Sequence, residues 1–224
     1  MIVAEQKELK QIIEMLGDDF QNLLILGCGT CVTVSMAGGE REVAAMAEAL
    51  RLYYSSNERD VNIETETVKR QCDFEFIDEI EVEIDRNDLV LSLGCGVGVQ
   101  HLTERYPEKL ILPGLDTSFY GATTDVGEWS ERCIGCGQCV LDQYLGICPV
   151  ARCSKSLLNG PCGGSQDGKC EVDPEIDCAW ELIYNRAEKL GMVDQLLGYE
   201  EPKDWQTYRD GGPRTLVNEE YNED

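Results

Sequence analysis

The sequence is short of four things, and each shortage removes a class of function. It holds one histidine, His101, in 224 residues. A histidine-rich metal site or a serine–histidine–aspartate arrangement therefore lacks its parts, and His101 itself reads as a helix-surface or core histidine. Positive charge is scarce: 19 Lys and Arg stand against 43 Asp and Glu, a formal net charge of −24. Such a polyanion repels nucleic acid and anionic membrane surfaces, so neither is an expected partner. It repels acidic ferredoxins too, so a donor of that type would need a local basic patch or a second subunit. No apolar run approaches the roughly 18 residues of a membrane helix. The opening "MIVAEQKELKQIIEML" has neither the basic start nor the apolar run of a signal peptide. No Walker loop is present, and the many carboxylates form no defined acid–base pair. The expectation is a cytoplasmic protein.

What the chain does have is 12 cysteines. In a reducing compartment disulfides are disfavoured, and that many thiols without a role would be an oxidation hazard. Metal or cluster binding follows, with ligands that are nearly all sulfur.

Periodicity predicts an α/β fold: a Rossmann-like parallel sheet, then a cysteine-rich, loop-built metal-binding segment and a C-terminal helix. Leu9, Ile12, Ile13 and Leu16 share one face of an expected helix over 5–16. "LLIL" at 23–26 reads as a buried strand stopped by Gly27-Cys28-Gly29. A helix over 40–54 and a strand over 61–67 follow. Residues 73–85 fit helix or strand, and the helix is preferred because a crossover must precede the next strand. That strand is 89–93, ending at Gly94-Cys95-Gly96. A helix over 98–106 and a strand over 109–112 complete a βαβαβαβ order, which implies parallel strands with right-handed crossovers. Residues 121–176 are rich in Gly and Cys and weakly periodic, a segment that does not fold on apolar burial alone. A helix over 177–190 ends at Gly191. The expected divisions are 1–120, a Rossmann-like domain; 121–192, the cysteine-rich segment with its helix; and 193–224, an acidic arm, either a flexible tail or laid on a partner.

Cys28 and Cys31 end the first of these strands, Cys72 follows the second and Cys95 ends the third. The carboxyl ends of parallel strands share one edge, where such folds bind ligands. Four thiolates there suit zinc or a [4Fe–4S] cluster; free cysteine also packs as a small hydrophobe. The cluster is the leading reading, with glycines beside Cys28 and Cys95 admitting backbone amides to the sulfurs. The same glycine turns sit where dinucleotide fingerprints sit, but neither completes G-x-G-x-x-G, and no acidic residue ends the second strand. A nucleotide-binding enzyme is the weaker reading.

"CIGCGQCVLDQYLGICP" places Cys133, Cys136 and Cys139 as C-x2-C-x2-C, which lets one loop supply three ligands to an iron–sulfur cube. Cys148-Pro149 follows too late for the bacterial ferredoxin run. Cys153, Cys162, Cys170 and Cys178 make up two four-ligand sets. One division assigns Cys133, Cys136, Cys139 and Cys178 to a second [4Fe–4S] cluster and Cys148, Cys153, Cys162 and Cys170 to a third centre, cluster or zinc. Two zinc ribbons without a redox role are the competing reading.

The segment from Cys133 to Trp180, with "LGCGTCVTVSMAGGEREV" and "LSLGCGVGVQ", resembles the MetV family, small iron–sulfur or zinc partner subunits of methylenetetrahydrofolate reductase. The resemblance covers about residues 20–190 and is most specific at the cysteines. It implies a MetF-type partner, a TIM barrel that carries FMN and binds the folate, and reduction of 5,10-methylenetetrahydrofolate to 5-methyltetrahydrofolate in the Wood–Ljungdahl pathway. It implies metal roles for the cysteines, two or three [4Fe–4S] clusters with zinc as the alternative at one four-cysteine site, and no catalytic residue in this chain. FMN is expected only in the partner, and a ferredoxin or other donor subunit is expected to supply electrons. A zinc-stabilised, non-redox scaffold or regulatory subunit of the same flavoprotein is the alternative.

Overall fold

The computed structural model describes residues 1–218. It divides into two compact units, Met1–Trp129 and a second that begins at Ser130. The end of the expected acidic arm, residues 219–224, lies outside the described residues.

The first unit is mixed α/β. Four parallel strands, β2 (Asn22–Cys28), β3 (Asn62–Val68), β4 (Leu89–Ser92) and β5 (Leu110–Pro113), lie in the order β3-β2-β4-β5. "LLIL" is buried throughout because both of its faces are covered, as expected of a central parallel strand. Leu23 and Ile25 point into one apolar cluster, with Ile12 and Leu16 of α1 (Leu9–Leu16) and Val43, Ala47 and Leu50 of α3 (Glu40–Ser56). Leu24 and Leu26 point into the other, with Ile77, Ile80, Ile84 and Leu102. Each buried Leu, Ile or Val among these contributes about 1.5–3 kcal/mol against exposure.

The ambiguous stretch 73–85 is helical: α4 (Phe74–Ile77), one 3-10 turn and α5 (Glu81–Arg86). Exposure decides between the two patterns, since Val82 is 68% exposed while Ile77, Ile80 and Ile84 are buried. Alternation would have buried Val82. Helix α6 (Gly96–Arg105) precedes β5.

Four elements differ from the periodicity reading. The expected helix over 5–16 starts later, and the chain opens with a strand, β1 (Ile2–Gln6). Its partner is β6 (Leu115–Asp125), antiparallel, and β7 (Glu128–Cys133) is the third strand of that sheet, which runs in the order β1-β6-β7. The first unit thus runs to residue 129, past the composition boundary at 120. The hairpin is illegible in the sequence because most of β6 and much of β7 is solvent-facing and polar, with no apolar stripe to mark it.

Among the described residues the second unit has two α-helices, the four-residue α7 (Pro149–Arg152) and α8 (Ala179–Leu190), which ends at Gly191 in the left-handed region (φ 67°). It has a small core after all: Val140, Tyr144, Val150, Cys178, Trp180 and Ile183, with Cys148 and Cys153 packed against them. Trp180 meets Tyr144 edge to face and donates its indole N–H to the Leu157 carbonyl at 2.9 Å. Among the described residues, no helix is long and apolar enough to cross a membrane.

Candidate functional site

The parallel sheet decides where the first cysteine group lies. The chain runs from β2 out to β3, then crosses back over β2 to β4. The carboxyl ends of β2 and β4 therefore flank the topological switch point, where open α/β sheets bind their ligands. Cys28 is the last residue of β2, and Cys95 stands three residues beyond β4 as the N-cap of α6. Cys72 follows β3, and Cys31 opens the four-residue α2 (Cys31–Val34) at the same edge. Burial, and then the charges of Cys28 and Cys95, push the Cys72 thiol above its ordinary pKa. Cys28 and Cys95 thus both lie within electrostatic reach of Cys72. Cys28 is buried, with its Sγ 3.8 Å from Thr30 Oγ1 and 4.0 Å from the Lys69 carbonyl.

One side chain absent from the sequence reading ties these loops together. Gln71, beside Cys72, is 1% exposed. Its Nε2 donates to the carbonyls of Leu26 (2.8 Å) and Gly27 (3.1 Å), and its Oε1 accepts from the Ser92 hydroxyl (2.6 Å), which itself accepts from Gly94 N–H (3.1 Å). The glycines before and after Cys95 make room for it. A Cβ on Gly94 would sit 2.1 Å from Gln71 Oε1, and one on Gly98 2.8 Å from Gln71 Cβ. These glycines thus serve close packing against Gln71, a demand that gives them no need to complete a nucleotide fingerprint. Gln71→Leu should leave the Ser92 hydroxyl and the Gly27 carbonyl short of a partner, at a cost of about 2 kcal/mol. Urea unfolding checks this; an unchanged midpoint removes Gln71 from the role.

The His101 ring stacks on Phe74 with centroids 3.9 Å apart, and its Nε2 is buried with no hydrogen-bond partner among the described residues.

In the second unit the cysteines divide by burial. Cys178 is buried as the N-cap of α8; Cys148 and Cys153 cap the two ends of α7 and touch the same apolar cluster. Helix N-termini favour anionic sulfur, and Cys95, Cys148 and Cys178 all occupy such positions. Cys133, Cys139 and Cys162 are exposed, while Cys136 and Cys170 are half-buried. The amide of Gly135 donates to Cys133 Sγ at 3.3 Å and that of Gly164 to Cys162 Sγ at 3.4 Å. Gly135 and Gly137, with φ of 65° and 82°, curl the C-x2-C-x2-C loop between its cysteines. The Ser154 hydroxyl, 3.5 Å from Cys170 Sγ, and the Val172 amide hold the Cys170 thiol below its ordinary pKa. Cys170 thereby meets the residue next to Cys153, its neighbour in the third-centre grouping. Cys178 shares its cluster with Cys148 and Cys153.

Among the described residues no three His, Cys, Asp or Glu side chains are gathered tightly enough to grip a single metal ion. A four-iron cube holds its thiolates farther apart than one zinc ion does. The donor set fits such a group in chemistry: thiols alone, amide N–H groups on two sulfurs, and helix N-termini under three others.

Residues 112–206 match a protein-family model described as methylene-tetrahydrofolate reductase C terminal. Over that segment, which is under half of the chain, the sequence is similar to that family. The matched segment contains every cysteine from Cys133 to Cys178 and the whole of α8. No curated protein and no solved structure matches the chain.

Proposed function

We propose that the chain is the electron-transfer subunit of a methylenetetrahydrofolate reductase complex. In this reading it relays electrons to the FMN of a MetF-type partner subunit, which reduces 5,10-methylenetetrahydrofolate to 5-methyltetrahydrofolate. The family match over 112–206 carries the proposal, because it covers the whole C-terminal set of cysteines. When bound, [4Fe–4S] clusters supply one-electron storage at potentials set by hydrogen bonds to sulfur and by solvent exposure.

The residues of this chain would hold and insulate those groups. Cys28, Cys31, Cys72 and Cys95 would hold one at the switch point, where Gln71 keeps three loops in register. Cys133, Cys136, Cys139 and Cys178 would hold a second, and Cys148, Cys153, Cys162 and Cys170 a third centre, cluster or zinc. The apolar cluster around Trp180 and Tyr144 keeps water from the Cys148, Cys153 and Cys178 side. Burial pushes the Tyr144 phenol up to about 12, so it stays neutral there. Flavin and folate belong to the partner.

The test is metal content and visible absorption of the protein purified without oxygen. Brown protein with several irons per chain is expected; a colourless, iron-free, zinc-rich preparation overturns the relay. One observation favours the alternative, a zinc-stabilised scaffold for the same flavoprotein. Cys148, Cys153 and Cys178 sit in or against an apolar core, as the ligands of a closed structural site do.

A further inference from the structure

Lys203 is out of place. In a chain of net charge −24 it is a buried lysine, 7% exposed. Lysine is almost never buried unless paired, because stripping water from an ammonium is costly. Yet among the described residues its ammonium is in no ion pair. It donates to the Gln138 carbonyl at 2.9 Å and to Gln138 Oε1 at 3.3 Å, both neutral, and lies 5.8 Å from the centre of the Trp205 ring.

Gln138 lies inside the C-x2-C-x2-C loop, between Cys136 and Cys139. The chain around Lys203 grips that loop at other points too. Thr207 Oγ1 donates to the Cys136 carbonyl at 3.0 Å, and Arg214 Nη2 donates to the Gly135 carbonyl at 3.1 Å. Arg214 also donates to the Thr207 carbonyl, closing the segment on itself. A Cβ on Gly137 would fall 2.2 Å from the Thr207 carbonyl oxygen, so the two segments are in backbone contact. Residues 203–214 are thus laid on the chain's own cysteine loop, and they bring two cations to it.

We propose that residues 203–214 are a strap over this loop, and that the buried Lys203 ammonium sets the reduction potential of the centre the loop holds. The inference rests on the cluster reading above. Thiolates at Cys133, Cys136 and Cys139 supply the countercharge that Lys203 lacks. The added electron makes that centre more negative, so a fixed cation held beside the loop favours the reduced form.

The experiment uses the full chain, iron-loaded without oxygen, and follows the paramagnetic resonance signal that Cys136→Ser removes. Lys203→Met is expected to shift the one-electron equilibrium of that signal about tenfold toward the oxidised form, about 59 mV. Lys203→Arg, which keeps the charge, is expected to stay within threefold of the parent. If Lys203→Met loses the iron while Lys203→Arg keeps it, the cation is needed to hold the centre, which also supports the strap. Equal potentials in all three proteins with iron intact overturn the proposal and leave the cluster reading standing. Iron loss in Lys203→Arg as well overturns it, by making the strap a packing element in which charge is irrelevant. A parent protein without iron, or one in which Cys136→Ser removes no signal, overturns the cluster at this loop and the strap with it.

Discussion

Cys136→Ser is expected to lower the iron content of anaerobically purified protein by one cluster, about four iron atoms per chain. Serine keeps the size of the side chain but replaces a soft sulfur donor with a hard oxygen. The residue sits half-buried in an exposed loop, outside all three apolar clusters. Little packing is lost, so the parallel sheet should unfold at an unchanged denaturant midpoint. Reduction of the complex by an external donor should fall by at least roughly 100-fold, the upper end of what outer-shell changes cost at metal sites, while the flavin subunit stays bound. Size-exclusion chromatography with iron analysis checks this. A variant that keeps its iron but releases the flavin subunit points instead to the scaffold.

Gly38→Ala is expected to be the most damaging small substitution in the first unit. A Cβ at position 38 would lie 1.8 Å from the carbonyl oxygen and 2.9 Å from the carbonyl carbon of Leu93. Both are backbone atoms, so no side chain can rotate aside. Leu93 is itself pinned, because its amide donates to the Leu26 carbonyl at 2.8 Å. The Gly38 carbonyl accepts from the Cys28 amide at 2.9 Å, so any shift of residue 38 moves Cys28. The cost is about 3 kcal/mol, the upper range for overpacking a filled site. Thermal unfolding and the iron content of the variant check it. A stable variant that retains all its iron shows that the edge between β2 and β4 is looser than its distances imply.

Much of the fold was legible in the residues. "LLIL" and "LVLSL" announce themselves as central strands because a strand covered on both faces is continuously apolar. The exposed Val82 between buried Ile80 and Ile84 shows why 73–85 was ambiguous: Ile80 and Ile84 fit both periods, Ile77 only the helix and Val82 only the strand, and burial separates them. β6 and β7 were illegible for the opposite reason, since strands that mostly face water carry too few apolar residues to show a period of two; β1, with Ile2, Val3 and Ala4 in a row, is too short a run to show one. The cysteines were legible as chemistry, through their number and the C-x2-C-x2-C spacing. Gln71 and Lys203 were not, because a polar residue stands out only when its burial is known.

The sequence alone determined the donor chemistry of this protein: sulfur, in abundance, with one histidine and an excess of negative charge. Composition is enough for that, since it fixes which atoms are present. Only the tertiary structure decided which of them meet. The shared edge of Cys28, Cys72 and Cys95 followed from periodicity, but the strand order β3-β2-β4, which sets Cys28 and Cys95 on the two sides of the switch point, did not. Lys203 reaches Gln138 across 65 residues because the chain folds back on itself. Proximity between residues far apart in the chain is created by packing, and no local pattern encodes it.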